Sequence, residues 1–284
     1  MTDDRTSSKG RRATVIVGVD GSEDGLRAAR YAAGSAIRRD ADLVVLHAVD
    51  DAAVAGTWGI AYDPTALQDA GQVVVDDAID VAKDRGMDPD RISGEVVLGN
   101  PAAILADRSA DAQLVVVGRR ASSGLERMFV GSTSVAVAGM SVAPVVVISR
   151  ASNPNPTGGK KCVAVAVGPQ NTGPAAIEFG FAEADRRGCK LLAVTVVGQD
   201  SQTIHEEALQ RLDKAIAPVA DKYPGVEVET RLLSGEPVDA LVDLSGDVDL
   251  LVIDMKKHPI LGWIAGGVSR GIMAHARSPL AICH

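Results

Sequence analysis

What most restricts the fold of this chain is a set of short β-branched runs that are apolar at successive positions instead of alternate ones. In the first half they occupy residues 14–19, 43–49, 114–117 and 145–148, with a weaker run at 95–98. A strand that is apolar on both faces must be covered on both, which describes a parallel sheet flanked by helices. The segments between are helical in pattern: Leu26, Ala29, Ala33 and Ile37 share one face, and residues 64–85 are similarly amphipathic. The order is β-α-β-α-β-α-β-α-β.

The same order restarts after Lys161, with runs at 162–167, 190–196, 226–232, 250–253 and 280–283. Landmarks in the two halves pair at nearly constant separation. Asp20 pairs with Gly168 at 148 residues, Leu114 with Leu250 at 136 and Pro144 with Pro279 at 135, so the second copy is shorter after its second strand. This is a tandem duplication with one deletion. A chain of 284 residues accommodates two domains of ordinary size. It divides into a flexible tail at 1–12, a first domain at 13–150, a linker at 151–160 with Pro, Asn and Gly, and a second domain at 161–284.

Composition narrows the partners. The 37 acidic and 29 basic residues give a net charge of −8 and are spread along the chain, which argues against nucleic acid or an anionic membrane surface. With two Trp, three Tyr and three Phe, a base-stacking surface has little to build on. No apolar stretch reaches the roughly 18 residues of a membrane span, and the polar first residues hold no signal-peptide core, so the expected location is cytoplasmic. Cys162, Cys189 and Cys283 are odd in number, far apart and set among apolar residues. They read as small buried hydrophobes rather than a disulfide framework or a metal site.

In an open parallel sheet, ligands bind beyond the carboxyl ends of the strands where the order reverses. After the fourth strand the first copy runs Gly118-Arg119-Arg120-Ala121-Ser122-Ser123-Gly124, and then, after a short stretch, Gly131-Ser132-Thr133-Ser134 at a helix start. Glycines let main-chain N–H groups approach an anion, hydroxyls at a helix start donate to phosphate oxygens, and the arginines add charge-assisted donors. The same glycines also suit a strand end and a turn. At the end of the first strand, Asp20 in Val19-Asp20-Gly21-Ser22 can accept from an adenine amino group or a ribose hydroxyl, or can simply form a turn or cap the first helix.

V-G-V-D-G-S after strand one, L-H-A-V at the end of strand two, V-V-V-G after strand four and the later Gly131-Ser132 resemble the universal stress protein family, twice over nearly the whole chain. The resemblance implies an α/β fold of two doubly wound five-stranded parallel sheets in tandem, strand order 3-2-1-4-5. Its fifth strand commonly pairs domains across a two-fold axis, which would make the tandem an internal pseudo-dimer and leaves a homodimer of whole chains open. ATP-binding members are similar in carrying G-x-x-G-x(9)-G-[ST]. Gly118, residues 122–130, Gly131 and Ser132 fall into that register, with Ala121 where the family has its second glycine. A methyl group there disfavours φ > 0 and a close backbone approach.

The implied nucleotide-binding set is Gly18, Asp20, Ala48, Gly118, Arg119, Arg120, Ala121, Ser122, Gly124, Gly131, Ser132 and Thr133. Asp20 and Ala48 would lie against adenine and ribose, and Gly118, Gly131 and Ser132 would hold the phosphates. The implied cofactor is ATP, carried with or without Mg²⁺, in a stress-response or regulatory protein.

The second copy replaces Asp20 by Gly168, Gly118 by Asp254, Ala121 by Lys257 and Ser132 by Val268, keeping Gly267 for Gly131. A carboxylate about 4 Å from a phosphate charge costs roughly 4 kcal/mol at an effective dielectric of 20, so this site is expected to be empty of nucleotide. Residues 254–258 read as a solvated turn or a rebuilt partner site, and Trp263 as packing or an apolar contact. No P-loop, H-E-x-x-H or C-x-x-C is present, and His47 reads as a hydrogen-bonded structural residue. Binding without catalysis, at most with slow ATP hydrolysis, is the expectation, set against a nucleotide-free scaffold and an ATP-using enzyme.

Overall fold

The computed structural model describes residues 12–50, 64–119, 131–152, 162–168, 173–198, 202–255 and 267–284. The first copy comprises β1 (Thr14–Gly18), α1 (Glu23–Arg39), β2 (Asp42–Val49), α2 (Pro64–Asp84), β3 (Ile92–Leu98), α3 (Pro101–Arg108), β4 (Leu114–Gly118), α4 (Ser132–Met140) and β5 (Val145–Ile148). The second comprises β6 (Cys162–Ala166), α5 (Pro174–Arg187), β7 (Lys190–Val197), α6 (Gln202–Ala220), β8 (Val228–Ser234), α7 (Pro237–Ser245), β9 (Leu250–Asp254), α8 (Gly267–His275) and β10 (Leu280–Cys283). The deletion falls largely between β2 and α2: residues 50–63 make that connection in the first copy and 198–201 in the second.

Within each copy the strands run parallel in the order 3-2-1-4-5, with helices on both faces. The two sheets are joined into one ten-stranded sheet, β3-β2-β1-β4-β5-β10-β9-β6-β7-β8. The join is its one antiparallel step, setting Leu280 opposite Val147, Ala281 opposite Val146 and Ile282 opposite Val145. Every residue of β5 and β10 is buried, so neither strand could remain an exposed edge without presenting an apolar, unpaired ladder to solvent. The outer edges fall instead to β3 and β8, whose residues are mostly half-buried. There β3 begins three residues before the apolar run at 95–98, because Gly94 passes directly under α2: a Cβ on it would lie 2.4 Å from Val75 Cγ1. Ser152 is buried, and its N–H and hydroxyl bond back to Ser149, extending the end of β5 by a turn.

All three cysteines are free; Cys162 and Cys283 are buried. Burial pushes the Cys189 thiol up to about 11 and Cys283 higher still, which suits packing rather than reactivity. Among the described residues no helix is long and apolar enough to cross a membrane.

Beside the strand join, α1 and α5 face each other with residues paired at the 148-residue separation. Tyr31 answers Phe179, Arg39 answers Arg187, and each arginine crosses to the other copy's ring: Arg39 lies 5.8 Å from the Phe179 centroid and Arg187 5.8 Å from that of Tyr31. The symmetry breaks in charge where Ser35 is the counterpart of Glu183. Glu183 Oε1 accepts from Arg39 Nη2 at 2.5 Å, and Oε2 accepts from Arg187 Nη2 at 2.9 Å and Nε at 3.1 Å. Both ends of the cross-copy pair are sealed from water, the side chains of Arg39 and Glu183 being 2% and 1% exposed. A second cross-copy contact reaches a helix end: Arg119 Nη1 donates to the Ala274 carbonyl of α8 at 2.6 Å.

Burial alone would raise the Glu183 carboxyl, but Arg39, Arg187 and Arg38 outweigh it and hold the pKa below the ordinary glutamate value. A carboxyl depressed in the folded state contributes stability that is full above its unfolded pKa and is lost as pH falls from there through the folded pKa. Removing the carboxylate strands two buried guanidinium groups, so Glu183→Gln is expected to cost about 3–5 kcal/mol. Urea denaturation of the variant across pH 3–8 checks this; the difference from the parent protein should shrink on the acid side.

Candidate functional site

Because β1 lies between β2 and β4, the chain leaves its carboxyl end and that of β4 toward opposite sides, opening a crevice between them. The turn after β1 is built by Asp20. Its Oδ1 accepts from Ser22 N at 3.1 Å and Ser22 Oγ at 2.5 Å, while Gly21 takes the left-handed φ of 76°. Ser22, not Asp20, caps α1, its hydroxyl accepting from Gly25 N at 3.0 Å. With Oδ1 occupied twice, a ligand donor at Asp20 would meet Oδ2. His47 Nδ1 stands 2.7 Å from the Val19 carbonyl; a carbonyl only accepts, so Nδ1 carries the proton and the ring braces the β1 turn. Ala48 is half-buried near the end of β2.

Two glycines in the set answer to packing. A Cβ on Gly18 would lie 2.6 Å from Leu105 Cδ1 of α3, and one on Gly118 would lie 2.8 Å from both Asp24 C and Gly25 N in the first turn of α1. Arg119 is corrected: its guanidinium does not face the crevice but reaches Ala274 in the other copy, and the residue is 6% exposed. Buried beside a helix C-terminus, a cation finds the carbonyls left over there, which the sequence of the loop could not reveal.

At the far side of the crevice, Gly131 is the N-cap of α4 and its N–H donates to the Arg119 carbonyl at 2.9 Å. No side chain caps that helix, Ser132 is exposed and Thr133 half-buried. Its first turn therefore offers main-chain N–H groups and hydroxyls toward an anion. Ser134, which the motif does not mark, fixes this arrangement: its hydroxyl donates to the Gly118 carbonyl at 2.7 Å, tying α4 to the end of β4. The signal for it is the second copy, where Arg270 occupies the aligned position. Arg120, Ala121, Ser122 and Gly124 lie outside the described residues, as do Lys257, His258 and Trp263.

The second copy is remodelled at the same junction. Asp254, aligned with Gly118, accepts from the N–H of Gly173 at 3.2 Å through Oδ2. Gly173 aligns with Gly25, yet Gly25 lies inside α1 whereas Gly173 is the N-cap of α5. Both helices end on left-handed caps at aligned positions, Asp40 (φ 49°) and Gly188 (φ 58°), so the 17-residue α1 and 14-residue α5 differ only at their starts. A side chain at position 254 occupies the room that the first turn of α1 takes against Gly118, and its carboxylate then satisfies the helix start it displaced. Gly118→Ala is accordingly expected to destabilise the protein by about 1–3 kcal/mol with or without nucleotide. Equal denaturation midpoints for variant and parent would remove the packing explanation.

Comparison with known proteins agrees with this architecture. The model of the universal stress protein family matches residues 12–149 and again 161–284. A universal stress protein of Mycobacterium tuberculosis is 28% identical over 288 residues, spanning 94% of this chain and 96% of that protein. One from Mycolicibacterium smegmatis is 26% identical over 288 residues, with the same coverage. The crystal structure of a universal stress protein from Archaeoglobus fulgidus superposes with a TM-score of 0.73 at 17% identity, covering 95% of each chain, and so shares the fold of the whole tandem. With both copies matched by the family model over nearly their full length, the chain belongs to the universal stress protein family.

Proposed function

We propose that this universal stress protein binds one adenine nucleotide, ATP, in the crevice of its first copy and acts as a stress-response or regulatory protein in the cytoplasm. The observation that carries the reading is the asymmetry between copies at one junction. In the first, the uncapped start of α4 with Ser132 and Thr133 stands across from Asp20. In the second, the aspartate aligned with Gly118 turns onto the start of α5, Gly168 replaces Asp20, and Val268, 45% exposed, replaces Ser132. The register of Gly118, Gly131 and Ser132 with the family's ATP motif supplies the ligand class.

Occupancy would be read through the domain surface rather than through a chemical step, a reading supported by the lack of a P-loop, H-E-x-x-H or C-x-x-C motif in the sequence. The internal pairing of the two copies makes the tandem a pseudo-dimer within one chain. A nucleotide-free scaffold is the second reading, favoured by the packing roles of Gly18 and Gly118.

Isothermal titration with ATP and Mg²⁺ separates them. The expected stoichiometry is near one ATP per chain, and Gly131→Glu, at a backbone φ of −57° that any residue adopts, should weaken binding at least about tenfold by placing a carboxylate at the helix start. Unchanged affinity in the variant would refute the site, and no heat or thermal shift with the parent protein would establish the scaffold.

A further inference from the structure

The opposite end of the first copy carries a concentration of positive charge that the nucleotide crevice does not use. Here α1 ends on Arg38 and Arg39, and Arg85 directly follows α2. Across the copy boundary stand Arg186 and Arg187. Glu183 answers three of these, pairing with Arg39, Arg186 and Arg187. Arg38 feels the Glu183 charge, but among the described residues neither Arg38 nor Arg85 forms an ion pair with it. Their guanidinium groups converge above Gly34: a Cβ placed on that glycine would lie 3.4 Å from Arg38 Nη1, 3.4 Å from Arg85 Nε and 3.4 Å from Arg85 Nη2. Arg38 Nε is buried and has no hydrogen-bond partner among the described residues. Both side chains are nevertheless partly exposed, so a solute reaches them.

Like charges brought together in a partly desolvated place need an anion. Burial lowers the Arg38 pKa, and the nearby Arg187 lowers it further, together outweighing the opposing pull of Tyr31 and Glu183. The tandem supplies its own comparison, since the second copy has Asp221 at the position aligned with Arg85 and Ala182 at that aligned with Gly34. The first copy thus has an arginine and a glycine where the second has a carboxylate and a methyl group, while Arg38 itself is matched by Arg186.

We infer that Arg38 and Arg85, converging over Gly34, form a binding site for a small phosphate-type oxyanion at the end of the first copy remote from its nucleotide crevice. Planar guanidinium groups on two sides give such an ion charge-assisted bonds that a carboxylate or chloride cannot match in number. A bound oxyanion neutralises charge beside the Arg39–Glu183–Arg187 contact and so strengthens the joining of the two copies.

Thermal unfolding in pyrophosphate, against sodium chloride of equal ionic strength, tests this. The parent protein should show a saturable rise in Tm of a few degrees. The rise should persist in Gly131→Glu, which separates it from the nucleotide site, and vanish in Arg85→Gln, whose side chain makes no hydrogen bond or ion pair among the described residues. Gly34→Glu, whose added Cβ meets only flexible side-chain ends, should raise Tm without pyrophosphate and abolish the response. No rise in the parent protein, or a rise retained in Arg85→Gln, would overturn the inference.

Discussion

Two strands that are apolar along their whole length cannot serve as the edges of two separate sheets, and most of the architecture follows from that. Val145–Ile148 and Leu280–Cys283 pair antiparallel, turning two five-stranded sheets into one of ten strands. The pairing brings α1 against α5 and the end of α8 within reach of the other copy. Everything polar at the boundary is a consequence of that placement. Buried guanidinium groups there must find carboxylates, rings or helix carbonyls, and Glu183, Phe179, Tyr31 and Ala274 are what they find.

The asymmetry of the two copies is concentrated in a few side chains on an otherwise repeated frame. Ser35 and Glu183 differ at the boundary; Gly118 and Asp254 differ at the junction of the fourth strand with the first helix. At the boundary, the single carboxylate matches a first copy to a second copy. Two first copies paired this way would bury arginines with no carboxylate between them, and two second copies would bring two carboxylates together. At the junction, one side chain fills the room that the first copy gives to the start of α1, and the helix it meets starts three residues later. The second copy has thus used its altered junction for internal bonding, while the first keeps the residues of the motif.

Much of the fold was legible because non-alternating β-branched runs admit few arrangements. The buried strands β1, β4, β5, β9 and β10 lie within a residue of their apolar runs. The edge strand β3 was only partly legible, since a half-covered strand tolerates Ser93, Gly94 and Glu95, and what makes Gly94 necessary is Val75 on a helix distant in sequence. The candidate site was legible as a motif and less so as chemistry. Asp20 and Gly131 stand at the crevice, while Arg119 points away from it and Gly118 is held by the backbone of α1.

By itself, then, the sequence determined the duplication, the parallel α/β class, the family and the loss of ligand groups from the second copy, because these rest on periodicity and on residue types at fixed separations. Tertiary structure alone decided that the two sheets become one and which arginines are spent across the boundary. It also decided that Asp254 serves the start of α5 and that Arg38 and Arg85 meet over Gly34. Charge and space at a point are set by residues far apart in the chain, and no local pattern records which of them converge.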